Sequence, residues 1–395
     1  MAGGHPVPRL AHIPLETARA RILALGRLNA FISISNETGD GPVVAVKDLI
    51  DVKGLVTTAG GRQLPSTPAT SDAPVISRIR SFGCVVVGKT NLHEFAYGST
   101  SDNPHYGPVR NPHDETRIAG GSSGGSAVAA ATGMCDWAIG TDTAGSLRIP
   151  ASLSGVVSFK PSQDAVSTQG VVPLSTSLDV VGPMAMDVST LAEAMAMMTG
   201  RPEFATARPG TGLRLGVPAA GWVEGLDTET AAAWRRASEG LHEVRLPDRA
   251  GMSQVCTTIS MYEATSYHRG WVTTHPELYG ADVRERLIQG AQIPSSDHVQ
   301  ALARRAELLA EVEAAMRDFD AILVPVTAIV APIIGGPDVR ETMTRFTRPF
   351  SATGQPVVTL RAKVRGLPVG IQVVGHANDD LHLLEVALAL EADWR

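Results

Sequence analysis

Cysteine is scarce in this 395-residue chain: Cys84, Cys135 and Cys256 are odd in number and far apart. No CxxC or HExxH pattern occurs, so neither a disulfide framework nor a zinc site is indicated. Aromatic residues make up 5% of the chain and the formal net charge is −6. Nucleic acid calls for a basic, aromatic-bearing surface, so it is excluded as the main partner. Long apolar runs are missing too. The most hydrophobic stretch, "AILVPVTAIVAPII" at 321–334, is too short to span a bilayer and carries two prolines. It reads as a buried strand leading into a loop. The start, "MAGGHPVPRLAHIP", lacks the charged-then-apolar layout of a signal peptide. A soluble, cytoplasmic protein without a membrane partner is therefore expected.

Hydrophobic residues, at 44%, suffice for a large core. "LETARARILALGRLNAFI" (15–32) predicts an amphipathic helix, with Leu15, Ala18, Ile22, Leu25 and Leu28 near helical spacing. "PVVAVKDLI" (42–50) predicts a strand, "DAPVISRIRSFG" (72–83) a helix, and "CVVVGKT" (84–90) a buried strand that suits Cys84. Helix then strand recurs over 126–140. Such alternation predicts an α/β fold with a mostly parallel sheet and covering helices. Residues 103–125, including "NPHDETRIAG", read as a long loop, and the Arg- and Glu-rich stretch 201–320 as a helical layer. Strands return at 321, 357–362 and 366–375, and the first and last segments are expected to share one sheet. With no repeat and no linker, 1–395 reads as one domain.

The stretch "AGGSSGGSAVAAA" (119–131) packs four glycines and three serines against a helix former. A phosphate loop is the first reading, but the Walker Gly-Lys-Ser/Thr ending and the GxGxxG fingerprint are both missing. A nucleophile elbow is the second, since G-x-S-x-G is matched around Ser122 and around Ser123. His376 and His382 lie late enough to serve it, but no strand is expected before it. The third uses Ser146 in "GTDTAGSLRIPA" (140–151), after a short strand. A neutral lysine can activate a serine. The chain has five lysines against 29 arginines, and Lys47, Lys89 and Lys160 all lie at strands. A strand-end lysine paired with an acid such as Asp48 is the plainer reading of Lys47, and composition does not choose among the three.

Five segments carry a resemblance: "VAVKDLIDVKGLVTTAGG", "GKTNLHEFAYGSTSDNPHYGPVRNP", "GGSSGGSAVAAATG", "GTDTAGSLRIPASLSGVVSFKPS" and "VSTQGVVPLSTSLDVVGPMA". Together they resemble the amidase signature family over about 15–195. The resemblance resumes weakly at "FDAILVPVTAIVAP" and "GQPVVTLRAKVRGLPVGIQVVG". It implies a large mixed central sheet with helices on both faces, a motif core at about 42–195, and a substrate-shaping region at about 201–320. It also implies a Ser–cis-Ser–Lys triad: Lys47 as base, Ser122 as bridge after a cis Gly121–Ser122 bond, and Ser146 as nucleophile. Lys89 and Lys160 fall at structural motif positions.

By the same resemblance, the backbone N–H groups of Thr143, Ala144, Gly145 and Ser146 form the oxyanion hole. Ala144 stands where the family generally has glycine, and an alanine there either meets a positive φ or merely narrows the pocket; the second is expected. Thr141, Asp142, Arg148 and Asp179 are expected in support, with Asp142 and Arg148 pairing. His93, His105 and His113 are expected to make loop hydrogen bonds. Tyr97, Tyr262, Tyr267, His268 and Trp271 are candidates for a pocket, with core packing the stronger expectation. The implied activity is hydrolysis of a small carboxylic amide without metal or cofactor. The implied partners are that amide and, at most, a second copy in a homodimer. The rival readings are the A subunit of a tRNA-dependent amidotransferase and a degenerate non-catalytic member. The former lacks its "YDGVR" motif here, and the latter predicts a broken triad.

Overall fold

The computed structural model describes residues 12–394, so most of the segment tested for a signal peptide lies outside the described residues. Its strands are β1 (Phe31–Ile34), β2 (Val43–Lys47), β3 (Val85–Thr90), β4 (Asp102–Asn103), β5 (Gly107–Pro108), β6 (Arg110–Asn111), β7 (Asp114–Ile118) and β8 (Trp137–Asp142). They continue with β9 (Val157–Lys160), β10 (Val180–Ala185), β11 (Leu215–Pro218), β12 (His242–Val244), β13 (Ala321–Pro325), β14 (Val357–Arg361) and β15 (Gly370–Val374). Eleven of these form one sheet in the order β1-β3-β2-β8-β10-β9-β14-β15-β13-β11-β12, so the last strands do join the first.

The sheet is mixed rather than mostly parallel. β2 runs parallel to β3 and β8, and β11 to β12 and β13, while every other neighbour in it is antiparallel. Strands buried on both faces read as unbroken apolar runs whichever way they point, so direction was hidden from the residue pattern.

Helices cover both faces. α1 (Leu15–Ala24) and, later, the helix at Gly124–Ala131 pack on Val43 and Ala45, while α2 (Pro74–Ser81) packs with Val44 and Val46. Successive side chains of β2 thus alternate between two dry layers, as strand geometry requires. Continuing in order, α3 (Gly124–Ala131), α4 (Arg148–Ser154), α5 (Val188–Thr199), α6 (Thr228–Ser238), α7 (Arg249–Thr274), α8 (Ala281–Gly290) and α9 (Ser295–Met316) precede α10 (Arg340–Thr344), α11 (Arg348–Thr353) and α12 (Asp380–Trp394). No helix among the described residues is long and apolar enough to cross a membrane.

Three local expectations are corrected. The helix predicted over 15–32 stops at Ala24; after a 3-10 turn, Asn29 turns left-handed (φ 56°) and "FISI" becomes edge strand β1. Leu25 and Leu28 had extended the helical spacing past the break. The loop 103–125 contains two small ladders, β4 with β5 and β6 with β7, and "DETRI" is β7 itself. The layer 201–320 is not wholly helical, because β11 and β12 extend the sheet edge there.

Candidate active site

Lys47 is the last residue of β2 and by alternation shares the face of Val43 and Ala45, the face on which α3 lies. The loop that opens α3 holds Ser122, and the Gly121–Ser122 peptide is cis. Lys47 Nζ donates to Ser122 Oγ at 2.7 Å and to Thr141 Oγ1 at 2.8 Å. Lys47 is 0% exposed. Burial lowers its pKa from 10.5 to about 7 against the opposing pull of Asp142 and Asp179. Burial likewise raises Asp179 to about 6, offset in part by the Thr143 hydroxyl and the N–H groups of Ser175 and Leu174.

Position, rather than pKa, separates the three lysines. Lys89 is the register partner of Val46, which puts it on the opposite face, where its Nζ pairs with Asp48 at 2.8 Å. Lys160 is also lowered to about 7, by burial and by the Arg148 charge. Its Nζ donates to the carbonyls of Gln355 (2.7 Å) and Pro161 (3.2 Å), and no serine is among its partners.

The Gly/Ser stretch divides its labour. Ser123 Oγ donates to Thr141 O at 3.1 Å and Ser126 Oγ to Ile139 O at 3.0 Å, so both stitch α3 to β8. Ser123 is therefore occupied, and His376 and His382 are bound to Glu313 and Asp320, away from the serines. No elbow triad forms. Gly120 takes a positive φ of 82°. Its neighbours are needed for room: a Cβ on Gly125 would lie 2.3 Å from Ala30 O.

Ser146 follows β8 in the loop 143–147. Its Oγ makes no hydrogen bond to Ser122, and the tie between the two loops is the Ser123 N–H donated to Ser146 O at 3.2 Å. The loop is braced by Asp142, which accepts from the N–H groups of Gly145 (2.8 Å) and Leu147 (3.1 Å) and from Arg148 Nε (2.9 Å) and Nη2 (2.8 Å). Burial raises the Asp142 pKa, but the Arg148 charge and hydrogen bonds outweigh it and hold the group at about 2. Arg148 also reaches Thr347 O (2.8 Å), Gln372 Oε1 (2.9 Å) and Ser351 Oγ (2.6 Å), tying the loop to α11 and β15. The expected pairing of Asp142 with Arg148 is present, and Thr143 Oγ1 donates to Asp179 Oδ1.

The four N–H groups expected at the oxyanion hole differ in what they bind. The Gly145 N–H is committed to Asp142, which leaves the N–H groups of Thr143, Ala144 and Ser146 without hydrogen-bond partners among the described residues. Gly145 instead supplies a φ of 134°, and Ala144 is not among the positive-φ residues, so its methyl is unstrained.

A cleft opens at Ser146, lined also by Gly121, Ala144 and Tyr97. Of the aromatic candidates only Tyr97 lies there. Tyr262 stacks on His298, while Tyr267, His268 and Trp271 pack together. His93, His105 and His113 bind Asp282, Glu94 and Ser154 O, as loop braces. Arg340 and Arg348 on the cleft wall were missed by sequence reasoning. Arg340 stands in "DVRETM" and Arg348 in "TRPF", and neither stretch offers a motif. Among the described residues no group of three or more His, Cys, Asp or Glu is placed to hold a metal.

The Amidase family model matches residues 40–384. The chain belongs to the amidase family. This amidase is 37% identical to a solved amidase crystal structure, with a TM-score of 0.90 and coverage of 96% of this chain and 95% of that one. It is 36% identical to AtzE, the 1-carboxybiuret hydrolase subunit of Pseudomonas sp. (strain ADP), covering 84% of this chain and 79% of that protein. It is 33% identical to the A subunit of the glutamyl-tRNA(Gln) amidotransferase of Nitratidesulfovibrio vulgaris (strain DP4), covering 95% and 90%. Membership makes the protein a hydrolase of C–N bonds.

Proposed function

We propose that the protein hydrolyses a small carboxylic amide through an acyl-Ser146 intermediate, with Lys47 as base acting through Ser122. The observation that carries this reading is the 2.7 Å bond from a fully buried Lys47 to Ser122, beside the cleft that holds Ser146. A lysine lowered to about 7 is substantially neutral at neutral pH and can accept a proton. The relay needs Ser146 Oγ to meet Ser122, and catalytic hydrogen bonds commonly tighten only once substrate is bound.

Ser146 Oγ then attacks the carbonyl carbon while its proton passes to Ser122 and that of Ser122 to Lys47. A hydroxyl can donate and accept together, which suits Ser122 to the relay. The developing oxyanion takes N–H donors from Thr143, Ala144 and Ser146, each worth roughly 10²–10³ in rate. As the C–N bond breaks, the relay runs backwards and the amine leaves protonated. Water repeats the sequence on the ester and frees the acid. Thr141 orients Lys47, and Asp142 with Arg148 fixes the loop.

The amidotransferase relatives favour a second reading, in which the chain works as one component of a larger assembly. One experiment addresses both. The isolated chain is assayed on simple carboxamides without ATP or any partner, then trapped with a fluorophosphonate and peptide-mapped. Amide turnover with label on Ser146 is expected. Label elsewhere sinks the mechanism, and a labelled but amide-inert chain moves the role to the assembly.

A further inference from the structure

The cleft wall opposite the nucleophile is cationic and short of partners. Beside Ser146 the cleft is lined by Tyr97, Ser99, Ser260, Arg340 and Arg348. Arg348 is 3% exposed, and its Nη1 donates to both oxygens of Glu341 at 2.7 Å. Its Nη2 is buried with no acceptor, as are the Tyr97 hydroxyl and Ser99 Oγ. Arg340 makes no ion pair among the described residues; its guanidinium lies 5.5 Å from the centre of the Tyr97 ring. The Glu341 side chain is 77% exposed and faces solvent, so it neutralises Arg348 only weakly. Arg286, whose guanidinium lies 5.8 Å from the centre of the Tyr97 ring, is already paired with Asp282 at 3.1 Å, and Asp142 is taken by Arg148. Burial lowers Arg340 to about 10, and the neighbouring charges of Arg286 and Arg348 add to that, so Arg340 stays charged at neutral pH. Buried donors without acceptors are costly, and charged ones most of all.

We infer that the substrate itself supplies the missing acceptor: it is an amide bearing a carboxylate a few bonds from the scissile carbonyl, bound by Arg340 and Arg348. The proposal rests on the amide-hydrolase reading and names its substrate class. Guanidinium groups bind planar carboxylates through paired charge-assisted hydrogen bonds, and the Tyr97 and Ser99 hydroxyls add neutral donors. The enclosed cavity is narrow, about 30 Å³, so the stem between carbonyl and carboxylate is short. Monoamides of short dicarboxylic acids meet both conditions. A cationic amide fails the first and a long-chain amide the second.

The test separates binding from chemistry. The Ser146→Ala protein is titrated calorimetrically with malonamate, succinamate and glutaramate, each against its isosteric neutral diamide. At least one carboxylate is expected to bind about tenfold tighter than its diamide. Adding Arg340→Ala, a partly exposed site whose truncation leaves the core intact, is expected to abolish most of that preference, and Arg340→Lys to restore part of it. Equal or weaker carboxylate binding in all three pairs overturns the proposal, as does a preference that survives Arg340→Ala. Wild-type turnover of the same pairs then reads the hydrolase assignment separately. An intact preference without turnover removes the hydrolase and leaves the anion pocket. Equal turnover and equal binding of acid and diamide do the reverse.

Discussion

Lys47 and Lys160 are both lowered by burial to about 7, so titration alone does not identify a base. What differs is the acceptor of each Nζ: a serine hydroxyl for Lys47, backbone carbonyls for Lys160. A base works in its deprotonated form, so kcat/KM on an amide is expected to rise with pH through about 7 and level off above it. Lys160→Met should leave that limb in place; a pH–rate profile of the variant checks it, and a displaced limb would move the assignment. Ser122→Ala should cut amide turnover by roughly 10²–10⁴ while an activated ester loses less, since its leaving group needs no proton. Steady-state rates on a matched amide and ester report this. Composition left three lysines open, and the family resemblance pointed to Lys47. The pleat of β2 and β3 sends Lys47 and Lys89 to opposite faces, and Lys160 differs from Lys47 in its carbonyl acceptors.

The loop between β8 and α4 behaves as one element, and its two small residues have different tasks. Gly145 has a φ of 134°, and a Cβ there would lie 2.4 Å from Thr347 Oγ1. Gly145→Ala should therefore displace the loop and lower kcat by about 10² or more, on the scale of losing an oxyanion donor. Ala144→Gly removes an unstrained methyl and should change kcat by less than about tenfold. On the far face, Lys89→Met strands Asp48, whose other partners are the Thr58 N–H and hydroxyl. Breaking such a buried pair costs about 3–5 kcal/mol, read by urea denaturation, with the amide-to-ester ratio unchanged. Elements with long periodic runs were legible in the sequence. Short edge strands were not: "FISI" sat inside an apparent helical spacing, and "LGVP" and "HEV" gain their pairing only from neighbours distant in the chain. Arg340 and Arg348 were illegible for the same reason, because α10 and α11 meet Ser146 through tertiary packing alone.

Across the whole molecule, Arg148 joins the β8–α4 loop to α11 and β15, so the C-terminal strands help shape a site whose motifs lie in the first half. The order of strands was beyond the sequence, since both dry faces present the same apolar pattern. Buried lysines also leave a global signature. Between about pH 7 and 10 the unfolded chain holds protons at Lys47 and Lys160 that the folded chain has lost, so these groups make stability rise with pH. His376, raised to about 9 by Glu313, works in the opposite sense. Comparing urea midpoints at pH 7 and 8.5 in wild type and Lys160→Met isolates one group, and the variant should show the smaller rise or larger fall.

The central claim is that Lys47, neutral and buried, moves the proton of Ser146 through Ser122. The most direct measurement is a pair of pH–rate profiles for Lys47→Ala and wild type on a matched amide and nitrophenyl ester. The account predicts that the variant loses amide turnover far more than ester turnover, and that the wild-type limb near 7 disappears with the lysine. A variant that kept its amide activity, with the wild-type limb unmoved, would contradict it.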